Sequence, residues 1–189
     1  MFYNFTASHD GIGLRPVQGI LSDQEQDLLL DSTIANGGCI SYKTNEDGTR
    51  APYEINCNYL NLLFGTTKNE DLGMERFLLS QAFLLAFPGF PAIYFHSLVG
   101  SLNDIDGMVK SNDNRSINRE KLNLNLLRKE LNGSNSKRNL IFQKLRKLIS
   151  IRKKTKAFHP FGSFQVKDSS SPLYVLQRSS DNESILFIF

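Results

Sequence analysis

The sequence has few cysteines and no long apolar run, and each shortage excludes a class of protein. Only two cysteines, Cys39 and Cys57, occur in 189 residues, which is too few for the disulfide framework of a small secreted domain. They match no metal-binding spacing, so we expect each to be a small buried apolar residue. No stretch reaches the roughly 18 apolar residues that a membrane span needs. We therefore expect neither a metal site nor a membrane partner.

The first 20 residues also lack the pattern of a secretory signal. No charged start is followed by an apolar run, and His9 and Asp10 occupy the positions where that run would lie. Together with the scarcity of cysteine, this predicts a protein of the reducing cytoplasm.

The net charge is only +3, but the basic residues are unevenly distributed. Lysine and arginine cluster at 137–156, where apolar residues recur at helical spacing. This favours an amphipathic helix with a solvated basic face, and a nucleic-acid-binding or membrane surface is the alternative. Because no glycine-arginine repeat or aromatic stacking motif accompanies the run, we expect no nucleic acid partner.

The spacing of apolar and turn residues predicts an α/β chain with an antiparallel region after residue 160. The predicted helices are 22–36, 69–87, 118–131 and 136–156, and the predicted strands are 2–7, 39–44, 51–56, 91–95, 161–167, 173–178 and 184–189. Ser22 and Glu25 form a capping box at the start of the first helix, and Asp47-Gly48 indicates a hairpin turn. Residues 96–117 are predicted to form a long polar loop. Two parallel strands cannot close a sheet by themselves, so we expect the chain to be part of a larger domain.

Three polar segments follow the predicted strands or lie in the predicted loop. They have the sequences SHDGIGLRP (8–16), IYFHSLVGS (93–101) and NRSINR (114–119). In a β/α barrel, the side chains at the carboxyl ends of the strands line the active site. A His-Asp pair alone is more often a turn with a capping aspartate, so the interpretation depends on the three segments occurring together.

Together these segments resemble the sucrose phosphorylase subfamily of the α-amylase superfamily. TASHDGIGLRP is similar to the end of the subfamily's seventh barrel strand, FLLSQAFLLAFPGFPAIYFHSLVGS to its seventh helix and eighth strand, and NRSINREKL to its Arg-x-Ile-Asn-Arg segment. The amino-acid sequences of the motifs most resemble those of sucrose 6'-phosphate phosphorylases and glucosylglycerate phosphorylases. The resemblance implies the C-terminal part of a (β/α)8 TIM barrel, about strands 7 and 8 with their helices, followed by an incomplete antiparallel β domain.

The resemblance also implies boundaries within the chain. Residues 1–11 would end barrel strand seven, and 12–68 would form an inserted lid domain. Residues 69–157 would contain helix seven, strand eight and the terminal helices, and 158–189 would begin the C-terminal β domain.

The activity implied by the resemblance is retaining glucosyl transfer to inorganic phosphate, which acts as co-substrate and requires no cofactor. Such chemistry uses two carboxyl groups, a nucleophile and an acid/base, which lie about 5–5.5 Å apart. The subfamily keeps them on barrel strands four and five, and no Asp or Glu of this chain matches either motif. We therefore expect the missing N-terminal barrel half to be a required partner and the isolated chain to be inactive.

The remaining site residues are assigned by the same resemblance. Asp10 would hold the sugar 2- and 3-hydroxyls and stabilise the transition state. His9 would donate to the same hydroxyls, and Arg115 would hold the sugar at its O4 end. Arg119 is the second arginine of the motif, with a structural role favoured.

Two further regions carry weaker expectations about the second substrate. Tyr53 and Glu54 are candidates for the rim of the acceptor site, and His96 is a candidate for discriminating the acceptor. A plain structural role is an equally good interpretation for each of these. The alternatives for the chain as a whole are an α-glucoside hydrolase or transglucosidase of the superfamily, and a non-catalytic remnant of such an enzyme.

Overall fold

The chain forms one parallel and two antiparallel sheets, packed with helices, over the residues described by the computed structural model, which are 2–65, 69–134, 136–168 and 172–189. The strands are β1 (Tyr3–Asn4), β2 (Ile12–Gly13), β3 (Cys39–Thr44), β4 (Arg50–Asn56), β5 (Phe90–Pro91), β6 (Ser163–Asp168), β7 (Val175–Ser180) and β8 (Glu183–Ile188). The α-helices are α1 (Asp23–Ala35), α2 (Tyr59–Leu62), α3 (Glu70–Ala86), α4 (Phe95–Leu98), α5 (Ile105–Ser111), α6 (Leu124–Asn132) and α7 (Lys137–Lys154). Short 3₁₀ turns occupy Arg15–Val17, Asn114–Asn118 and Lys156–Phe158.

The parallel sheet consists of β1 and β5, with α3 in the connection between them. The side chain of Asn69 caps α3 by accepting from the Leu72 N–H. Apolar residues of α2, α3 and α7 meet in one core cluster: Leu60, Phe77, Leu78, Ile141 and Leu145. The predicted parallel pairing with a crossover helix is thus confirmed for these two strands, and the basic run 137–156 is confirmed as a helix that buries an apolar face.

An inserted unit lies between β1 and α3, and its sheet has the order β2-β4-β3. Ser22 and Glu25 form the predicted capping box at the start of α1. The predicted hairpin pairs β3 with β4 in antiparallel register. Cys57 is buried as expected, and burial raises the pKa of its thiol to about 11, whereas Cys39 is only partly buried. The insert's predicted end at residue 68 lies outside the described residues.

The last three strands form the predicted antiparallel sheet, in the order β6-β7-β8. Arg178, which is fully buried, contributes to its attachment to the rest of the chain, beside aromatic contacts of Phe83 and Phe87. The guanidinium donates to three backbone carbonyls, those of Ala86 (3.0 Å), His159 (2.8 Å) and Ser163 (3.2 Å). One side chain therefore joins the sheet to the end of α3.

Two predicted elements between residues 91 and 117 are wrong. The predicted strand 91–95 stops at Pro91, and Phe95–Leu98 is helical instead, because a short apolar run fits a strand and a helix equally well. The predicted polar loop 96–117 contains α5 and a 3₁₀ turn. Two of its acidic residues are helix caps, since Asp104 accepts from the Gly107 N–H and Asp113 from the Arg115 N–H.

The helix predicted over 118–131 starts later than expected, at Leu124. Asn123 supplies the reason, because its side chain accepts from the N–H groups of Asn125 and Leu126 and so defines the helix start. The preceding residues are not part of the helix. Glu120, which is one of them, accepts from Nη2 of Arg138 through both carboxylate oxygens, at 2.8 and 2.9 Å.

Candidate functional site

The segment after β1 forms a tight turn that presents His9 and Asp10. Ser8 and Gly11 exchange backbone hydrogen bonds of 3.0 and 3.2 Å, and the Ser8 hydroxyl accepts from the Asp10 N–H. Gly11 has a φ of +127°, and a Cβ there would lie 2.2 Å from the Ile55 carbonyl oxygen. Only glycine fits this close approach to β4, so the turn and the insert are fixed against each other.

Asp10 lies at the centre of a cluster of cationic and hydrogen-bonding groups. Its Oδ1 atom lies 2.8 Å from Nη2 of Arg119, 3.3 Å from Nε2 of His9 and 3.5 Å from Nη1 of Arg115. Within the described ranges, its Oδ2 atom accepts no hydrogen bond. The carboxylate is thus oriented through one oxygen, and the other is available to a ligand.

The backbone around Asp10 is held as firmly as its side chain. The Asp10 carbonyl accepts from the amides of Asn56 (2.9 Å) and Asn118 (3.3 Å). Arg119 adds a hydrogen bond from Nε to the His9 carbonyl at 3.0 Å. Contacts from the insert and from the Asn114–Asn118 turn therefore converge on one residue. The sequence did not predict the role of the two asparagines, because no local pattern indicates that an amide will bind a residue distant in sequence.

Arg119 makes the shortest ion pair to Asp10. It also approaches Asp113, with Nη1 3.6 Å from Oδ2 of that carboxylate. Its side chain is 38% exposed, so it lies at the surface of the cluster and not beneath it. The residue for which a structural role was favoured thus contacts the candidate catalytic carboxylate directly.

Arg115 is bound mainly by the insert. Its Nε and Nη2 atoms each lie 3.1 Å from Oε2 of Glu54, and Nη2 donates to the Tyr53 hydroxyl at 2.6 Å. The hydrogen bond and the charge of Glu54 raise the pKa of the Arg115 guanidinium. Tyr53 and Glu54 therefore do lie beside the motif residues, and they contact them through Arg115. An open polar cleft of about 460 Å³ adjoins them and is lined by Ser41, Tyr53, Glu54, Asn112, Asp113, Asn114 and Arg115.

His96 lies apart from this cluster, in the buried turn α4. Its ring packs between Tyr94 and Phe95, and Nδ1 lies 2.9 Å from the Ser101 hydroxyl. Burial lowers the pKa of the His96 imidazole, with smaller effects from Glu120, Arg138 and Asp104. Among the described residues it forms no hydrogen bond or ion pair with the Asp10 cluster.

In the described part of the chain, no group of three or more His, Cys, Asp or Glu side chains is arranged to hold a metal ion. No helix there combines the length and the apolar character needed to cross a bilayer.

Comparison with known proteins gives clear relatives, although the sequence matches no protein-family model. The chain is 38% identical over 185 residues to the glucosylglycerate phosphorylase of Escherichia coli K12, covering 98% of this chain and 33% of that enzyme. It is 38% identical over 179 residues to the glucosylglycerate phosphorylase of Spirochaeta thermophila, covering 95% of this chain and 30% of that enzyme.

A solved structure matches over nearly the whole chain. The sucrose 6F-phosphate phosphorylase of Thermoanaerobacter thermosaccharolyticum superposes with a TM-score of 0.81 at 23% identity, over 98% of this chain and 36% of that one. At this identity the superposition establishes the fold alone. The chain spans about a third of the length of the relatives it matches, consistent with a C-terminal fragment. The predicted resemblance to the sucrose phosphorylase subfamily is therefore confirmed, and the chain is homologous to one segment of these glucosyl phosphorylases.

Proposed function

We propose that this chain is the sugar-positioning segment of a retaining α-glucoside phosphorylase, and that it forms glucose 1-phosphate only together with an N-terminal barrel half. The observation that carries the proposal is the Asp10 carboxylate, which is oriented by Arg119, His9 and Arg115 at the end of a parallel strand. In this proposal β1 and β5 belong to barrel strands seven and eight, and 12–68 is the lid.

The chemistry divides between the two parts of the enzyme. The upstream part would supply the nucleophilic carboxylate and the acid/base, which act in a double displacement with inorganic phosphate as the acceptor. Asp10 would bind the sugar hydroxyls through Oδ2, which accepts no hydrogen bond from the described residues, and stabilise the positive charge that develops on the sugar. Because Oδ1 is held by three partners, the carboxylate would be oriented before the substrate arrives.

The substrate class follows from the relatives, whose names include glucosylglycerate and sucrose 6F-phosphate. We propose an α-glucoside of this kind, with a polar acceptor portion that faces the cleft beside Arg115. The open, polar lining of that cleft supports a hydroxylated or anionic acceptor over an apolar one.

The test is a chimera in which this chain replaces the matching segment of the E. coli glucosylglycerate phosphorylase. We expect glucose 1-phosphate from glucosylglycerate, sucrose 6'-phosphate or sucrose only when phosphate is present, and no turnover by the isolated chain. The D10N variant should lose about 100-fold or more in turnover, as removal of one oriented electrostatic partner commonly does.

Asp181→Asn is the matched control. Asp181 lies in the β7–β8 turn with a φ of +52°, where asparagine is well tolerated. Release of free glucose without phosphate would instead identify a hydrolase. A folded chimera that turns over none of the three α-glucosides would contradict the proposed function.

A further inference from the structure

Glu54 is a buried carboxylate at the centre of the insert's sheet. Its side chain is 5% exposed. Its backbone lies on the middle strand β4, opposite Gly13 of β2 and Ser41 of β3. The residue is therefore fixed on both sides, and its carboxylate has little freedom to move.

A buried carboxylate requires a cation, and Arg115 supplies it. Two of the three guanidinium nitrogens of Arg115 lie 3.1 Å from Oε2 of Glu54. Removing one partner of such a pair is strongly destabilising, because it leaves the other charge buried and uncompensated. The pair therefore links β4 to the Asn114–Asn118 turn across 61 residues of sequence.

Two carboxylates compete for the same guanidinium. Asp10 lies 3.5 Å from Nη1 of Arg115, which is longer than the contacts that Glu54 makes and longer than a good charge-assisted hydrogen bond. Among the described residues, Nη1 forms no hydrogen bond. Glu54 thus holds Nε and Nη2, and the remaining nitrogen points toward the carboxylate of Asp10.

We infer that Glu54 is a positioning residue that holds Arg115 with Nη1 free beside Asp10, so that Arg115 and Asp10 can bind one ligand hydroxyl between them. The use of that arrangement for a sugar rests on the proposed function. The Tyr53 hydroxyl strengthens the same arrangement by accepting from Nη2 at 2.6 Å. Glu54 therefore acts on the site through Arg115, in contrast to the expectation that it forms the acceptor rim.

The test observes the guanidinium directly in the 189-residue chain. In the ¹⁵N-labelled protein, the Nε–H signal of Arg115 is assigned by its loss in Arg115→Lys. We expect Glu54→Gln to accelerate hydrogen exchange at this signal by roughly tenfold or more, since a hydrogen bond to a charged group is lost. The Nε–H of Arg119, which binds the His9 carbonyl, should be unchanged.

Glu46→Gln is the matched control, because Glu46 is exposed on the same hairpin. An Arg115 signal that is equally protected in wild type and Glu54→Gln would overturn the inference. No turnover is needed, so failure of the chimera leaves this measurement valid and separates the two claims.

A second measurement covers the case in which Glu54→Gln unfolds the chain. Arg115→Gln leaves Glu54 buried without a cation, so the double variant Glu54→Gln/Arg115→Gln should have a higher urea midpoint than Arg115→Gln alone. If the losses of stability in the two single variants simply add in the double variant, Glu54 and Arg115 do not interact directly.

Discussion

The two histidines of the motif segments lie in opposite environments. The side chain of His9 is 66% exposed beside Asp10, whereas His96 is buried between two aromatic rings. The Ser101 hydroxyl that contacts His96 also accepts from Nη1 of Arg138 at 3.0 Å. Its own hydrogen is then directed to Nδ1, which favours a neutral ring. The surroundings of His96 suit a structural role better than acceptor discrimination.

This environment predicts a pH dependence of stability. Burial lowers the pKa of His96 below its ordinary value of 6.5, so the unfolded chain binds a proton at a higher pH than the folded chain does. The free energy of unfolding should therefore fall as the pH decreases through 6.5 toward 5. In His96→Gln, urea midpoints measured between pH 8 and pH 5 should fall less steeply. Equal slopes for the two proteins would show that His96 is not responsible.

At the scale of single elements, close backbone packing decides how the insert is assembled. Gly38 connects α1 to β3, and a Cβ there would lie 2.7 Å from Cβ of Cys57 and 2.8 Å from Cγ2 of Thr33. Both neighbours belong to packed parts of the insert, so neither can move away without disturbing the sheet.

We therefore expect Gly38→Ala to lower the free energy of unfolding by about 1–3 kcal/mol, as overpacking of a tight core does. Gly13→Ala is the control, because a Cβ at Gly13 would meet no atom within 4 Å. Urea denaturation of the two variants compares them directly. A Gly38→Ala protein as stable as Gly13→Ala would show that the insert can relax.

The C-terminal end of α3 binds the rest of the chain through arginines. Arg178 donates to the Ala86 carbonyl, and Arg152 donates to the carbonyls of Leu85, Phe87 and Gly89. Unpaired carbonyls and the helix dipole make this end of a helix attractive to cations. Burial without a carboxylate lowers the pKa of Arg152 to about 10. The two guanidiniums thus replace the helix's missing hydrogen bonds.

Arg178→Met should therefore detach the last sheet from α3. It keeps the apolar stem but removes the donor to the buried Ala86 carbonyl and two further hydrogen bonds to the His159 and Ser163 carbonyls, and we expect a loss of about 3 kcal/mol or more in the free energy of unfolding. Arg128→Met on the exposed face of α6 should change stability by no more than about 0.5 kcal/mol. Limited proteolysis should cut first within 158–189 in Arg178→Met. An unchanged cleavage pattern would show that Arg178 does not hold the last sheet against α3.

At the scale of the whole molecule, the parallel sheet carries a group of exposed aromatic side chains. Three aromatic side chains next to β1 are more than half exposed: Phe2, Tyr3 and Phe5. A mostly apolar cleft of about 580 Å³ adjoins them, with Tyr59, Phe83, Phe87 and Phe189 among its lining. Exposed apolar surface of this kind is typical of an interface. In the proposed enzyme, the barrel half would cover it.

The isolated chain should therefore self-associate through this surface. Replacing Phe2, Tyr3 and Phe5 by serine should shift sedimentation velocity toward the monomer, because the apolar area that drives association is reduced. Ile20→Ser, which removes an equally exposed apolar side chain from the insert, should have little effect. Association that is unchanged in the triple variant would place the contact elsewhere.

Local sequence was sufficient to predict the features that depend on near neighbours. The capping box of Ser22 and Glu25 and the turn at Asp47-Gly48 were predictable because their hydrogen bonds join residues a few positions apart. The motif residues His9, Asp10 and Arg119 could be assigned to one site only through a family resemblance. Their spacing alone does not imply contact across 109 positions.

The folded structure was needed to identify which charged groups are partners. Glu54 was a candidate for the acceptor rim, with a structural role as an equally good interpretation, and its burial and its pairing with Arg115 depend on how the insert packs on the motif turn. Arg178 and Ala86 lie 92 positions apart, and His96 is buried because α4 packs against Ser101 and its neighbours. Hydrogen bonding within a helix or turn is specified by local sequence. Pairing of buried charges depends on distances that exist only after the chain has folded.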